Sequence, residues 1–293
     1  MKILFLGGDK RQIEIIKDLS KNNYDIDVIG YDKIKFDSKI KNLNLEKLNI
    51  SKYNIIILPV NGVREDYSIT AEYAKEKIIL PPNLFYKTNE KVVLFTGIKT
   101  IRLNAMLESI DRKLCALMEE KDVIRQNSIP TVEGIIGDLI YNTEKTINEA
   151  DILVIGYGNI GKRLVSILEV LGANVTIGII LKDDYDILNK KQKAVLYTND
   201  FIMMKEVLNN SDIIVNTAPD LILNQECLNQ IKKDCYILDI ASHPHGVDFE
   251  YAEKLKLRNK LLLGIPSIVA PKTAGKILSK KISMKIGGQK WQK

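Results

Sequence analysis

The sequence predicts an α/β protein made of two Rossmann-like, doubly wound parallel-sheet domains with an interdomain cleft. Three observations lead to this fold class. The 293 residues exceed the size of one typical domain. Short apolar runs alternate with longer amphipathic segments along the whole chain, and a glycine-rich turn joins a strand to a helix near the middle. Such alternation is typical of βαβ units and parallel sheets.

Nine short apolar runs are predicted to be buried strands. They are 3–6, 26–29, 55–58, 92–95, 152–155, 175–177, 213–215, 236–239 and 260–262. Between most of them lie about 10–15 residues with the spacing of an amphipathic helix, as a parallel sheet requires.

Two longer helices are predicted in the middle of the chain. Residues 101–120 place Leu103, Leu107 and Leu114 on one apolar stripe, which indicates a single helix. A second helix is expected to begin near Pro130, because proline suits a first helical turn, and to end at about Glu144.

The domain boundary is expected where the periodicity is interrupted, between residues 121 and 130. Residues 1–125 are then an N-terminal α/β domain for substrate or partner, and residues 126–293 a dinucleotide-binding domain. The last predicted helix, 270–286, is expected to pack back onto the first domain.

The net charge of +6 comes from the C-terminal segment alone. Six of the 43 basic residues lie between Lys276 and Lys293 without an acid, so the rest carries 37 positive and 37 negative charges. A neutral body argues against nucleic-acid binding. No apolar run approaches the roughly 18 residues that span a bilayer, so we expect no membrane segment.

The three cysteines fit neither a disulfide framework nor a zinc site. Each of Cys115, Cys227 and Cys235 lies in an apolar stretch, so we expect buried free thiols in a reducing, cytoplasmic compartment, and no metal.

The motif with the most specific chemistry is ILVIGYGNIGKR, residues 152–163, in which Gly156, Gly158 and Gly161 have G-x-G-x-x-G spacing. A buried strand precedes it and an amphipathic helix follows, as dinucleotide binding requires. Gly156 would make the tight turn, Gly158 would admit a diphosphate, and Gly161 would let the helix pack closely. The intervening cofactor-binding candidates are Tyr157, Asn159 and Ile160.

Two alternatives to dinucleotide binding apply to this motif. A glycine-rich turn without a ligand has the same spacing. The stretch also matches the start of a phosphate-binding P-loop, but Arg163 stands where Ser or Thr would bind Mg²⁺, which disfavours phosphoryl transfer.

The choice between NAD and NADP depends on the end of the strand at 175–177. An acid there would bind the ribose 2′-OH of NAD, and a cation would favour NADP. The chain offers Lys182 and Asp183 slightly later, so both dinucleotides stay open, as do solvated loop charges.

Further cofactor-binding candidates lie in the loops after the next strands. They are Thr217, Ala218 and Pro219 after one strand, and Ala241 and Ser242 after the other. His243 follows directly and is a candidate proton shuttle, with a polar loop residue as the alternative.

The first strand leads into a weaker glycine turn. Asp9 and Gln12 resemble a capping box, and the full dinucleotide fingerprint is absent. Arg11 would lie in the first turn of a helix, so it is a candidate carboxylate-binding cation, or an ordinary surface arginine.

Seven blocks of sequence resemble the dipicolinate synthase A-subunit family of spore-forming bacteria. They are GGDKRQ (7–12), NSIPTVEG (127–134), VIGYGNIG (154–161), NTAP (216–219), DIAS (239–242), DFEYAEK (248–254) and IVAPKTAGKIL (268–278). The resemblance implies an architecture like that of 2-hydroxyacid and alanine dehydrogenases.

The same resemblance implies a function. It implies an NAD(P)-dependent oxidoreductase that oxidises a dihydrodipicolinate to dipicolinate in the mother-cell cytoplasm of a sporulating bacterium, on a branch of the lysine pathway. The flavoprotein-like B-subunit of dipicolinate synthase is the implied partner, and NADP the usual cofactor. A homodimer is a further expectation.

The reaction implied by the resemblance needs groups that bind two carboxylates and accept a proton, and the chain offers candidates for both tasks. Arg11 and Lys272 are expected to bind the two substrate carboxylates, with Lys272 also a catalytic candidate. Further substrate-binding candidates are Gly8, Asp9, Ser128, Thr131 and Thr273, and the catalytic candidates include His243 and Glu133.

Two other functions remain open from the sequence. A 2-hydroxy- or amino-acid dehydrogenase would reduce simple keto acids without a second subunit. A dinucleotide-sensing binding module would bind NAD(P) without turnover.

Overall fold

The computed structural model describes residues 1–189 and 195–288. The chain forms two compact units: the first comprises Met1–Asn127 together with the residues from Pro266 onward, and the second comprises Ser128–Ile265. Among the described residues, no helix is long and apolar enough to cross a membrane.

The first unit contains a six-stranded sheet in the order β3-β2-β1-β4-β5-β6. Its strands are β1 (Lys2–Leu6), β2 (Asp25–Ile29), β3 (Lys41–Asn42), β4 (Ile55–Ile57), β5 (Val93–Thr96) and β6 (Lys113–Ala116). The helices that begin in it are α1 (Lys10–Leu19), α2 (Ile101–Leu107) and α3 (Lys121–Asn142). All the pairings in this sheet are parallel. Because helices and loops cover both faces, a central strand such as β4 is a continuous, buried Ile-Ile-Ile run.

The second unit repeats this architecture, with the sheet order β12-β11-β10-β7-β8-β9. Its strands are β7 (Asp151–Ile155), β8 (Asn174–Ile179), β9 (Val195–Tyr197), β10 (Ile213–Asn216), β11 (Tyr236–Asp239) and β12 (Arg258–Leu261). Its helices are α4 (Asn159–Val170), α5 (Lys182–Asn189), α6 (Phe201–Asn210), α7 (Gln225–Leu228) and α8 (Phe249–Lys254). Both sheets therefore have the doubly wound order of a Rossmann fold, which confirms the predicted fold class.

The last helices of the described residues are α9 (Ile265–Val269) and α10 (Pro271–Gly287). Residues 126–293 are predicted to form the second domain, with the helix over 270–286 packing back onto the first; in the structure α10 lies in the first unit. Leu278, Ile282 and Ile286 are buried in the core of the first unit, and Ser279 donates a hydrogen bond to Asp18 of α1 (2.7 Å).

The predicted helix over 101–120 is wrong. Its first part is α2, but β6 follows and pairs in parallel with β5. Leu114 packs with the apolar cluster on one face of the sheet and Cys115 with the cluster on the other, which is the two-residue period of a strand. Pairing with β5 outweighs the helical spacing of the sequence.

The predicted helix start at Pro130 is also wrong. The helix α3 begins at Lys121 and continues through Pro130, although proline removes one backbone hydrogen bond. Buried apolar residues anchor it on both sides of the proline, namely Val123 before it and Val132, Ile135 and Leu139 after it. Tertiary packing therefore holds the helix across a residue that usually ends one.

Candidate dinucleotide and carboxylate sites

The glycine turn after β7 has three glycines with three different surroundings. Gly156 has a φ of 93°, and a Cβ there would lie 2.4 Å from Thr217 Oγ1. A Cβ at Gly161 would lie 2.1 Å from the carbonyl oxygen of Gly156. A Cβ at Gly158 would meet no described atom within 4 Å. The turn is thus closed on the protein side and open at Gly158, which fits a ligand approaching the backbone there.

The N-terminus of α4 lies directly at this opening. Its N-cap is Gly158, and none of the described side chains caps the helix. The free amides and the helix dipole make such an end a binding site for an anion such as a diphosphate. Tyr157 and Ile160 pack against the core of the second unit, whereas Asn159 is exposed.

The loop after β10 supports the glycine turn. The Thr217 backbone N–H and hydroxyl both donate to the carbonyl of Ile155, at 2.8 and 2.9 Å. Ala218 is buried and its N–H lies 3.3 Å from Asn216 Oδ1, while Pro219 is exposed at the sheet edge. These contacts hold the predicted cofactor-binding loop beside the turn.

Two buried polar residues, Asn216 and Asp239, organise the carboxyl edge of this sheet. Both are completely buried, and Asn216 Nδ2 donates to Asp239 Oδ1 at 2.8 Å. Asp239 also accepts hydrogen bonds from the backbone N–H groups of Ala241 (2.9 Å) and Gly246 (2.7 Å). Both lie in the blocks NTAP and DIAS, but no role was predicted for either; the signal that could have suggested one is a polar side chain at the end of a buried strand.

The loop fixed by Asp239 carries the predicted residues Ala241, Ser242 and His243. Ala241 is buried, and Ser242 and His243 are exposed. The rings of His243 and His245 lie 5.7 Å apart in an edge-on arrangement, and His245 Nδ1 contacts the carbonyl of Ala241 at 2.7 Å. The only two histidines of the chain therefore lie together at this edge of the sheet.

Lys182, predicted to lie near the ribose 2′ position of the cofactor, is the first residue of α5. Its Nζ lies 4.4 Å from the centre of the Tyr185 ring, 5.1 Å from that of Tyr197, and 3.4 Å from Asp186 Oδ1. Asp183 is exposed beside it. The cation Lys182, which would favour NADP, and the acid Asp183, which would favour NAD, are adjacent. The geometry therefore selects neither dinucleotide.

In the first unit, the corresponding helix N-terminus is closed by the protein itself. Asp9 caps α1 in a reciprocal capping box with Gln12. The Arg11 guanidinium is buried and paired with the Asp9 carboxylate, with Nη2–Oδ2 at 2.6 Å and Nε–Oδ1 at 3.1 Å. Gly8 N–H donates to the carbonyl of Thr70 at 2.7 Å. The positive charge of Arg11 is therefore already matched by an internal carboxylate.

The helix α10 brings Lys272 and Thr273 to the same part of the first unit. A Cβ at Gly275, one turn later, would lie 2.7 Å from the Arg11 carbonyl oxygen, so α10 and α1 are in close contact. Lys272 and Thr273 are both exposed in the first turn of α10. The first unit thus gathers the predicted substrate residues Gly8, Asp9, Arg11, Lys272 and Thr273.

The remaining predicted residues lie on α3 in the second unit. Ser128 and Thr131 are buried, and Ser128 Oγ accepts a hydrogen bond from Arg163 Nε at 3.3 Å. Glu133 is exposed. Arg163 belongs to α4, so Ser128 lies next to the helix that follows the glycine turn.

Comparison with known proteins identifies the family. Residues 2–118 match the N-terminal domain of the dipicolinate synthase A-subunit. The dipicolinate synthase A-subunit of Bacillus subtilis (strain 168) is 35% identical over 97% of this chain and 95% of its own. The chain belongs to the dipicolinate synthase A-subunit family. The resemblance carried by the seven sequence blocks is therefore confirmed.

Crystal structures within the family have the same fold. The A-subunit from Bacillus halodurans matches with a TM-score of 0.91 and 31% identity, covering 98% of both chains. The A-subunit from Bacillus subtilis matches with a TM-score of 0.88 and 34% identity, covering 98% of this chain and 96% of that one.

More distant matches concern the fold and the cofactor class. An L-alanine dehydrogenase covers 99% of this chain and 91% of its own at 12% identity and a TM-score of 0.61, which shows a shared fold alone. Residues 146–288 match the NADPH-binding domain of the acetohydroxy acid isomeroreductases. Together with the open glycine turn, this match supports a nicotinamide dinucleotide as the cofactor.

Proposed function

We propose that this chain is the dinucleotide-binding subunit of a dipicolinate synthase. With the flavoprotein-like B-subunit it oxidises a dihydrodipicolinate to pyridine-2,6-dicarboxylate, in the cytoplasm of the mother cell during sporulation. The observation that carries this proposal is the 35% identity to a known A-subunit over 97% of the chain, both units included.

The residues of the chain suit this reaction. The dihydropyridine ring loses a hydride and a proton and becomes aromatic; a bound NAD⁺ or NADP⁺ supplies the hydride acceptor. The open turn at Gly158 and the uncapped amides of α4 bind the diphosphate of the dinucleotide. The Asp239 carboxylate holds the adjoining loop in place.

The substrate carboxylates and the proton need separate groups. The exposed Lys272 and the Gly8–Arg11 segment, in which Asp9 already matches the charge of Arg11, are proposed to bind the carboxylates. Ser128 and Thr131 are proposed to orient the ring. His243 and Glu133 are both exposed, so either can accept the proton and release it to water.

The test is product formation by purified protein. The chain is incubated with the product of dihydrodipicolinate synthase and either NADP⁺ or NAD⁺, with and without the B-subunit, and dipicolinate is followed by ultraviolet absorbance. We expect dipicolinate together with stoichiometric NAD(P)H, and neither without the dinucleotide. Reduction of simple keto acids by the chain alone, with no dipicolinate under any condition, would contradict the proposal and favour a 2-hydroxy- or amino-acid dehydrogenase.

A further inference from the structure

The loop that follows β4 is fastened to the glycine turn of the first unit. The backbone carbonyl of Thr70 accepts a hydrogen bond from the Gly8 N–H at 2.7 Å, and the Glu72 N–H donates to the Gly8 carbonyl at 3.0 Å. A Cβ at Gly7 would lie 2.5 Å from the Thr70 carbonyl oxygen, so the two segments touch along their backbones. Residues 70–72 of this loop are therefore held beside the Gly8–Arg11 segment.

The loop carries an arginine at the start of the turn of a small hairpin. Val63 and Ile69 form an antiparallel bridge, and Arg64 N–H donates to the Ser68 carbonyl at 2.9 Å. The Arg64 side chain is exposed, and its Nη2 donates to Thr70 Oγ1 at 3.1 Å. Thr70 thus contacts Gly8 through its carbonyl and the Arg64 guanidinium through its hydroxyl.

The charge of Arg64 is not matched by the acids next to it in sequence. Glu65 pairs with Arg102 at 2.9 Å, and Asp66 pairs with Lys77 at 2.6 Å. Within the described part of the chain Arg64 has a hydroxyl partner and no ion pair. A guanidinium fixed by a neutral group keeps both its positive charge and free N–H donors for a carboxylate.

Arg11 is different because its charge is already used. Arg11 is 4% exposed, and its guanidinium forms a bidentate pair with Asp9. A dianionic substrate placed here would face the carboxylates of Asp9 and Glu72 as well as Arg11. Beside the exposed Lys272, a ligand with two carboxylates therefore needs a further cation in this part of the first unit whose charge no carboxylate already matches.

We propose that Arg64 is a substrate-binding residue that binds one carboxylate of a planar pyridine- or dihydropyridine-2,6-dicarboxylate. This inference rests on the proposed function, because it assigns the ligand class from the dipicolinate reaction. Thr70 orients the guanidinium fork, and the Gly8–Arg11 segment contributes to binding the rest of the ligand.

The test is calorimetric binding of two probes to the full chain in the presence of the dinucleotide. The probes are pyridine-2,6-dicarboxylate and pyridine-2-carboxylate, and the variants are Arg64→Gln and Arg64→Lys. The matched control is Arg112→Gln, because Arg112 likewise bonds a threonine hydroxyl (Thr88 Oγ1, 2.9 Å) and precedes β6 at its amino end.

We expect Arg64→Gln to weaken binding of the dicarboxylate about 10- to 100-fold, the effect of losing a hydrogen bond between charged groups. Arg64→Lys should weaken it less because it keeps the charge, and Arg112→Gln should leave it unchanged. The selectivity for the dicarboxylate over the monocarboxylate should fall with Arg64→Gln.

The two proposals fail in different ways. If the unsubstituted chain forms no dipicolinate with the B-subunit and binds neither probe, the proposed function fails, and this inference with it. If the unsubstituted chain binds the dicarboxylate and the folded Arg64→Gln and Arg64→Lys variants bind it equally well, only the assignment of Arg64 is overturned. Circular dichroism measures whether the variants are folded. If Arg64→Gln does not fold, the comparison with Arg64→Lys still tests the assignment.

Discussion

Replacing Gly158 with alanine should separate dinucleotide binding from folding. Gly158 is the N-cap of α4 with φ −78° and ψ −159°, an extended conformation that alanine adopts without strain. The added methyl group would meet no described protein atom within 4 Å. It would instead occupy the open space from which a diphosphate is proposed to approach the backbone.

The expected magnitudes follow from these contacts. Loss of one hydrogen bond between a backbone N–H and a phosphate costs about 1.5–3 kcal/mol, or roughly a 10- to 150-fold weaker Kd. Alanine for glycine at an N-cap costs about 0.5–1 kcal/mol of folding free energy. For Gly161→Ala the Cβ lies 2.1 Å from the carbonyl oxygen of Gly156, so that variant should instead lose about 1–3 kcal/mol of folding stability.

Calorimetric titration with NADPH and NADH measures the binding, and differential scanning calorimetry measures the folding. For Gly158→Ala we expect a Tm within about 4 °C of the original and the large loss of affinity given above. Unchanged affinity for both dinucleotides in a folded Gly158→Ala protein would refute the role of this turn in diphosphate binding.

Three further predictions concern stability and reactivity. Ile282→Ala should lower the free energy of unfolding by about 2–5 kcal/mol, since Ile282 is fully buried; Met284→Ala on the exposed side of α10 is the control, and equal urea midpoints for the two would contradict the packing. Burial acts to raise the pKa of Asp212, but hydrogen bonds from Lys145 and Lys232 lower it to about 2. The stability it contributes is therefore present above about pH 4 and lost as the pH falls toward 2; urea midpoints of the original and of Asp212→Asn should converge over that range, and a constant difference would argue against the ion pairs. Burial raises the pKa of Cys235 to about 12, so iodoacetamide at pH 8 should label it only after unfolding, and rapid labelling of the native protein would show that the thiol is accessible.

The sheets were predictable because their signal is local. Each of the nine apolar runs overlaps a strand, since strands buried on both faces need consecutive apolar residues. Three strands were missed: β6 lies within the predicted helix, and β9 is a three-residue strand at the edge of its sheet that pairs with β8. The third, β3, consists of the polar residues Lys41 and Asn42 and exists through pairing with β2. The helix predicted over 101–120 failed for a related reason, because the spacing of Leu103 to Leu114 fits a helix while the pairing partner of β6 lies about twenty residues away in sequence.

The candidate sites divide in the same way. The glycine spacing after β7 predicted the open turn. Each glycine is needed for the path of the backbone within this short segment, so the signal is local in sequence. The pairing of Asp9 with Arg11 was not predicted, although the two are separated by one residue, because the rotamers that bring them together depend on burial. The proposed role of Arg64 depends on its contact with Thr70 and on the attachment of Thr70 to Gly8, which only the fold brings about.

The return of α10 to the first unit has a consequence for how the protein is made. The core around Ile3, Phe5 and Ile16 includes Leu278, Ile282 and Ile286 from the other end of the chain. The ribosome therefore releases the last side chains of that core only after the whole second unit has been synthesised. The second unit is continuous in sequence and can fold during translation. Until α10 is synthesised, one apolar face of the N-terminal sheet lacks the residues that cover it. A polypeptide terminated before residue 271 would leave the first unit, rather than the last one made, incomplete.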